Sequence, residues 1–182
     1  ANGKGFVFRL ANNRDVDPKL PGIRLWRDKE LYKYGLEKAD AVLSQHAIQS
    51  QMLETNFRIH SRIADMLVDP PARELNLAER DISILWVNNL RDFKRPDLTL
   101  ELARRLPRQN VHMVGGAIPG FTDLFDAIHQ ESATLPNLFF HGQVPYHEMS
   151  DFYDRARVFI NTSDIEGFPN SYLQSWRRGV PV

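Results

Sequence analysis

A chain of 182 residues, 42% hydrophobic and 25% charged, has the balance of a globular protein and room for one domain or two small ones. Its 23 Lys and Arg match its 23 Asp and Glu, giving a formal net charge of zero, which argues against a dedicated nucleic-acid binder. The absence of cysteine excludes a disulfide framework and a Cys-based metal site and suits a cytosolic protein. No apolar run reaches the length of a membrane span, and no signal peptide is visible.

In chain order, Phe6 to Leu10 reads as a short buried strand and Ala11 to Pro18 as a polar loop. Within that loop, Asp15-Val16-Asp17 has the spacing of paired carboxylates that hold a divalent cation in some nucleotide-sugar enzymes. A surface turn before Pro18 explains the pair more simply. A helix follows across roughly 28–38, then a strand at Ala41 to Leu43. Ser44 can cap a second helix with an apolar face of Ile48, Met52 and Phe57. Ile63 to Val68 is a further apolar run, and Asp69 to Glu74, with two prolines, reads as a linker.

Beyond it, strands and helices alternate. Ile82 to Val87 is a nearly continuous apolar strand. Pro96 suits a helix start, and Leu98, Leu102, Ala103 and Leu106 line one face. Val111 to Val114 is the next strand, and Phe121, Leu124, Phe125 and Ile128 form a helical stripe. Leu138 to Phe140 is a strand, Met149, Phe152, Tyr153 and Ala156 a third stripe, and Val158 to Ile160 a strand. A helix after Pro169 carries Tyr172, Leu173 and Trp176 and is stopped by Gly179 and Pro181, where Val180 to Val182 can begin a fifth strand. The repeat of about 20 to 30 residues is the length of a βαβ unit, and continuous apolar strands mean that both sheet faces are covered. The expectation is an α/β, doubly wound, Rossmann-like parallel sheet, occupying residues 76–182, preceded at 1–75 by part of a second α/β domain and the linker.

Ligands of such sheets bind beyond the carboxyl ends of the strands. The loops at that edge carry Asn89, Arg91, Lys94 and Arg95; Gly115 and Gly116; Gly142, Gln143 and Val144; and Glu166 with Gly167. Lys94 and its arginines could neutralise a diphosphate, or simply form an exposed basic turn. Gly115-Gly116 is neither a Walker A loop nor a G-x-G-x-x-G fingerprint and fits a tight turn. His112, inside a strand, reads as a core histidine with a backbone partner. No His pair has metal-ligand spacing, and no Ser sits in a convincing nucleophile elbow.

The stretch Ile165 to Gln174 places a carboxylate, a glycine and a helix start within a few residues. Unpaired N–H groups at a helix start suit a phosphate, whereas Glu166 would repel one and is better suited to accept from hydroxyls. A diphosphate joined to a sugar has both needs at adjacent atoms. Helix-start and turn chemistry at Glu166, Gly167, Phe168 and Pro169 explains the same residues without a ligand.

Taken in order, Val111 to Gly116, Leu138 to Val144, Met149 to Ile160, Glu166 to Asn170 and Gly179 to Val182 resemble the C-terminal, donor-binding domain of GT-B fold retaining glycosyltransferases, especially family 4 (glycosyl transferase group 1). The resemblance covers 83–182. Residues 5–68 look like the last part of the family's N-terminal domain, with Glu37 to Val42 similar to a segment that commonly precedes the domain crossover. It implies a nucleotide-sugar donor, no cofactor and no catalytic metal. Lys94 matches a lysine that contacts the donor diphosphate, and Glu166 a glutamate that contacts donor-sugar hydroxyls. Gly167 to Asn170 match amides near sugar and phosphate, and Gln143 with Val144 a loop that reads the base. Two positions depart. Asn89 stands where the family usually has Arg, removing a charge-assisted hydrogen bond of about 1.5–3 kcal/mol, for which Arg91 or Arg95 could substitute. Gln174 stands where a second glutamate usually binds ribose, so the anionic strengthening is gone.

The resemblance further implies retaining hexosyl transfer to an acceptor such as a saccharide or lipid-linked glycan, in the cytoplasm or against the inner face of a membrane. The segment reads as truncated at both ends and is expected to be inactive alone. Two rivals stay open: a noncatalytic nucleotide- or partner-binding domain, and a nucleotide-sugar epimerase of GT-B fold.

Overall fold

A computed structural model describes residues 4–64, 76–167 and 169–182. The chain divides into two compact units, Ala1–Leu67 with Glu166–Phe168, and Val68–Ile165 with Pro169–Val182. Among the described residues no helix is long and apolar enough to cross a membrane.

The first unit holds a three-stranded parallel sheet, β1 (Val7–Arg9), β2 (Ala41–Ser44) and β3 (Arg62–Ile63), in that order. Helices α1 (Trp26–Lys38) and α2 (Ala47–Phe57) make its two crossovers. Its core is Leu10, Val16, Leu36, Val42 and Leu53. The buried strand expected at Phe6–Leu10 is corrected: β1 lies at the sheet edge, with Phe6 and Val7 exposed, while Leu10 is buried in the core and Phe8 packs against it. The Asp15–Asp17 pair is turn chemistry. Asp15 accepts the Ala11 and Asn12 N–H groups at 2.7 and 2.9 Å, closing a capping box on a single 3-10 turn, and Asp17 accepts the Lys19 N–H at 2.8 Å.

The cap and inward face read for α2 are also corrected. Ser44 ends β2, and His46 caps the helix, its Nδ1 accepting the Gln49 N–H at 3.2 Å. Of the face read there, Met52 and Phe57 do pack against the core, but Ile48 is 64% exposed, and Gln49 and Leu53 are the buried residues. In its core position Gln49 accepts the Gln45 N–H through Oε1 at 2.7 Å, while its buried Nε2 finds no partner among the described residues. The 65–68 part of the next apolar run, and the linker 69–74, lie outside the described residues.

The second unit holds four parallel strands, β4 (Ile82–Val87), β5 (Val111–Val114), β6 (Leu138–Phe140) and β7 (Ala156–Ile160), in the order β6-β5-β4-β7. Helices α3 (Pro96–Arg105), α4 (Thr122–Ser132), α5 (Met149–Arg155) and α6 (Asn170–Trp176) cover it. Residues of β4 feed two cores. Ile84 and Trp86 pack with Leu100, Ala103 and Ile128 of α3 and α4. Ile82 and Leu85 pack with Tyr153 of α5, Phe159 and, at its margin, Tyr172 of α6. That division is why the strand reads as continuously apolar, and it makes the sheet doubly wound. Full burial of a side chain such as Leu85 contributes about 1.5–3 kcal/mol.

Three local readings change. The inward face of α3 is Pro96, Thr99, Leu100 and Ala103, while Leu98 and Leu106 are exposed; Pro96 at the first turn, after Arg95 at φ 49°, sets the phase. Ala156 opens β7 instead of closing a helical stripe. Near the end of the chain, where a fifth strand was expected at Val180 to Val182, no strand forms; the backbone there accepts one hydrogen bond from β7, Phe159 N–H to the Pro181 carbonyl at 2.9 Å.

His112 is buried, but its ring partner is a side chain and not the backbone: Nδ1 meets Nε2 of His141 at 3.1 Å across the β5–β6 pair. Burial first, then the nearby His141 and Arg155, push its pKa down from 6.5 to about 4, against a smaller opposite pull from Asp81. The unfolded chain therefore takes up this proton first as pH falls. The stability tied to a neutral His112 is intact above about pH 6.5 and declines as pH drops toward 4. We expect the His112 ring, followed by NMR, to titrate near 4, and denaturant stability to fall over that window. A midpoint near 6.5 would contradict the buried pairing.

Candidate functional site

Parallel strands deliver the ends of β4, β5, β6 and β7 to one edge. The loops there are tied together through their backbones. Asn88 donates to Val114 O at 3.1 Å, Leu90 to Gly116 O at 3.2 Å and Gly115 to Gly142 O at 2.8 Å. A Cβ at Gly115 would lie 2.2 Å from Asn88 O, and one at Gly116 would lie 3.0 Å from Gln143 Cβ. The two glycines are thus what lets the three loops approach.

The β4 and β7 loops are joined by side chains. The fully buried indole of Trp86 donates through Nε1 to Thr162 Oγ1 at 2.9 Å, and that hydroxyl donates to Lys94 O at 2.7 Å. Asp164 N–H donates to Phe93 O at 2.8 Å. Asn161 Oδ1 accepts from Asn88 Nδ2 at 3.2 Å, and its Nδ2 reaches the Tyr172 hydroxyl at 2.7 Å. This network includes Asn161, Thr162 and Tyr172, which sequence reasoning passed over as a polar turn and a helical stripe.

Two cavities open at this edge and share Val87, Tyr146 and Met149 as a common wall. One of about 390 Å³ is lined by Asn89, Gly115, Gly116, Gln143 and Val144 among others. The other, about 470 Å³, takes in Ser150, Asn170, Gln174 and Arg178. The structure thus brings Asn89, Gly115, Gly116, Gln143, Val144, Asn170 and Gln174 together within one unit.

The remaining described candidates line neither of these two cavities. Gly142, at φ +63°, makes the turn that carries Gln143. Lys94 Nζ lies 5.2 Å from the centre of the Phe93 ring, and the Arg91 guanidinium 5.9 Å from it. Arg95 holds Asp97 through Nε and Nη2 at 3.0 and 2.8 Å and faces Asp164 at 3.6 Å. These carboxylates, Asp97 first, raise its pKa and engage the charge expected from the resemblance to substitute at Asn89. Glu166 is partly buried and groups with Gly167 in the first unit, where a Cβ at Gly167 would come within 2.9 Å of Ala11 O. Phe168 lies outside the described residues. Pro169 precedes the seven-residue α6.

Sequence reasoning missed Tyr146 and Arg178. Tyr146 lies in a single turn between β6 and α5, and Arg178 reads as one of two basic residues ending a helix. Yet Arg178 is 4% exposed. Its Nε meets Asp154 at 2.7 Å, and the two side chains are 2% and 13% exposed. Only the fold brings Asp154 beneath it.

The family model for glycosyl transferases group 1 matches residues 70–182, and the chain belongs to that family. Among curated relatives it is 27% identical over 117 residues to the O-antigen biosynthesis glycosyltransferase WbnH of Escherichia coli, and equally to the probable O-antigen biosynthesis glycosyltransferase WbiN. These matches cover 62% of this chain and 31% of each relative, so the chain spans less than a third of their length. Among solved structures, Anabaena HepE in complex with UDP and glucose superposes with a TM-score of 0.71 at 15% identity, over 98% of this chain and 52% of that one. S. aureus TarM, as a mutant bound to fondaparinux, α-GlcNAc-glycerol and UDP, gives 0.70 at 14% identity, over 100% and 36%. These likenesses establish the GT-B type of fold.

Replacing Thr162 by Val keeps the shape but leaves the buried Trp86 N–H without its acceptor and the Lys94 carbonyl without its donor. The expected loss is about 1–3 kcal/mol in denaturant melts, with faster amide exchange at Lys94 and Arg95. A variant as stable and as protected as the parent would show that the relay does not hold the loop.

Proposed function

We propose that this chain supplies the donor site of a family 4, retaining, metal-independent glycosyltransferase. The substrate is a nucleoside diphosphate sugar, and the acceptor a saccharide or lipid-linked glycan. The observation that carries the reading is the pair of adjoining cavities at the carboxyl edge of the second sheet, lined by apolar Val87, Val144 and Met149 with Asn89, Gln143 and Gln174 among them. Apolar walls with a few placed polar groups suit a nucleoside.

In this reading the base rests against Gln143 and Val144, where glycines let the backbone come close, and the ribose meets Gln174. The diphosphate turns toward the first amides of α6 and the Lys94 loop. Lys94 stabilises charge that develops on the leaving diphosphate, and Glu166 orients the sugar. The bond from the anomeric carbon to the diphosphate breaks, a bond to an acceptor oxygen forms, and configuration is retained.

HepE and TarM have been solved with UDP, and the curated relatives are named for O-antigen biosynthesis. Both support a nucleotide-linked donor and a glycan acceptor, and they favour transfer over epimerisation or binding alone. Cytoplasmic residence, or contact with the inner face of a membrane, would follow from such an acceptor.

The test is turnover of a panel of nucleotide sugars by the whole enzyme to which this chain supplies the donor site, and by its Lys94→Ala variant. At saturating donor the substitution should lower turnover by about 10²–10³, the scale of losing one electrostatic stabiliser of a leaving group. Unchanged turnover would remove Lys94 from that role. Tight binding of donor with neither transfer nor hydrolysis would favour the noncatalytic alternative.

A further inference from the structure

The Arg178 side chain makes four hydrogen bonds to three residues. Nε donates to Asp154 at 2.7 Å and Nη2 to Ser150 Oγ at 3.3 Å. Nη1 donates to Gln174 twice, to its carbonyl at 3.2 Å and to its side-chain Oε1 at 2.7 Å. The Arg178 carbonyl is itself held by Nη2 of buried Arg80. A guanidinium has only donors, so the atom of the Gln174 amide that faces it is the oxygen, and the flip of the amide is decided. The nitrogen end then points to Tyr146, whose hydroxyl Nε2 reaches at 3.3 Å. Tyr146, Gln174 and Arg178 all line the cavity of about 470 Å³.

We propose that Arg178 is a positioning residue that locks the Gln174 amide with its N–H groups presented to the cavity, so that this wall selects a ligand oxygen able to accept a hydrogen bond. The inference rests on the donor-binding reading above. A carboxylate at this position would accept from sugar hydroxyls with its full charge. The locked amide instead offers a neutral N–H, which a hydroxyl meets as acceptor. A neutral hydrogen bond contributes roughly half as much as a charge-assisted one, so the site gains less from any single ribose hydroxyl and better tolerates its removal.

Calorimetry with UDP and 2′-deoxy-UDP, on the protein and on Gln174→Glu, tests this. The parent should prefer UDP by about two- to tenfold, the scale of one neutral hydrogen bond. In the variant the introduced carboxyl pairs with Arg178 through one oxygen and offers the other to the hydroxyl, so the preference should rise to about tenfold or more. A parent preference above about tenfold that the variant leaves unchanged would overturn the proposal.

A second measurement needs no nucleotide. The introduced carboxyl, followed by NMR, should titrate well below the usual carboxylate range because Arg178 faces it; an ordinary value would overturn the lock. Failure of UDP to bind at all would count against the donor-binding reading, while the titration would still decide the role of Arg178.

Discussion

The candidate site depends on one buried donor. Trp86 is the fully buried end of a strand that pairs on both sides, and its indole N–H must find an acceptor or cost about 1–3 kcal/mol. Thr162 supplies it, and a hydroxyl that accepts can also donate. Its proton goes to Lys94 O, so a requirement of the core fixes the backbone of a loop at the sheet edge. The register of β4 against β7, from Ile82 beside Ala156 to Trp86 beside Ile160, brings Thr162 within reach. Asp164 completes the tie through Phe93 O.

The glycines act on the other side of β4. Gly115 and Gly116 read in the sequence as turn residues, and the structure shows them as sites of contact, where any side chain would strike Asn88 or Gln143. Losing that contact would push apart the loops after β4, β5 and β6 and reshape the cavity that both glycines line. Close packing of main chain, not a phosphate cradle of known pattern, is what these glycines provide.

The doubly wound sheet was legible because its signals are local: continuous apolar strands, proline at a helix start, glycine past a helix end. Errors came where one tertiary fact overrides a local pattern. Phe6 and Val7 are apolar yet lie at an edge, which no window of sequence reveals. Gln49 is polar yet buried, its oxygen paired with a backbone N–H four residues earlier. At the site, the loop residues that line the cavities were visible because topology sends loops to one edge. Tyr146 and Arg178 were not, since the value of a buried arginine depends on Asp154, 24 residues away. The same holds for Arg95: its sequence neighbours advertise a basic cluster, but Asp97 and Asp164 already hold its charge.

The two positions that the resemblance marks as departures, Asn89 and Gln174, both carry neutral amides, and both line the adjoining cavities. The donor site would rest more on shape and neutral hydrogen bonds than on fixed charge. The most direct measurement is a crystal structure of the protein with UDP at saturating concentration. The account predicts the uracil against Gln143 and Val144, the ribose beside Gln174, and the phosphates directed toward Asn89 and the start of α6. Nucleotide bound away from the carboxyl edge of the second sheet, or both cavities vacant under those conditions, would contradict it.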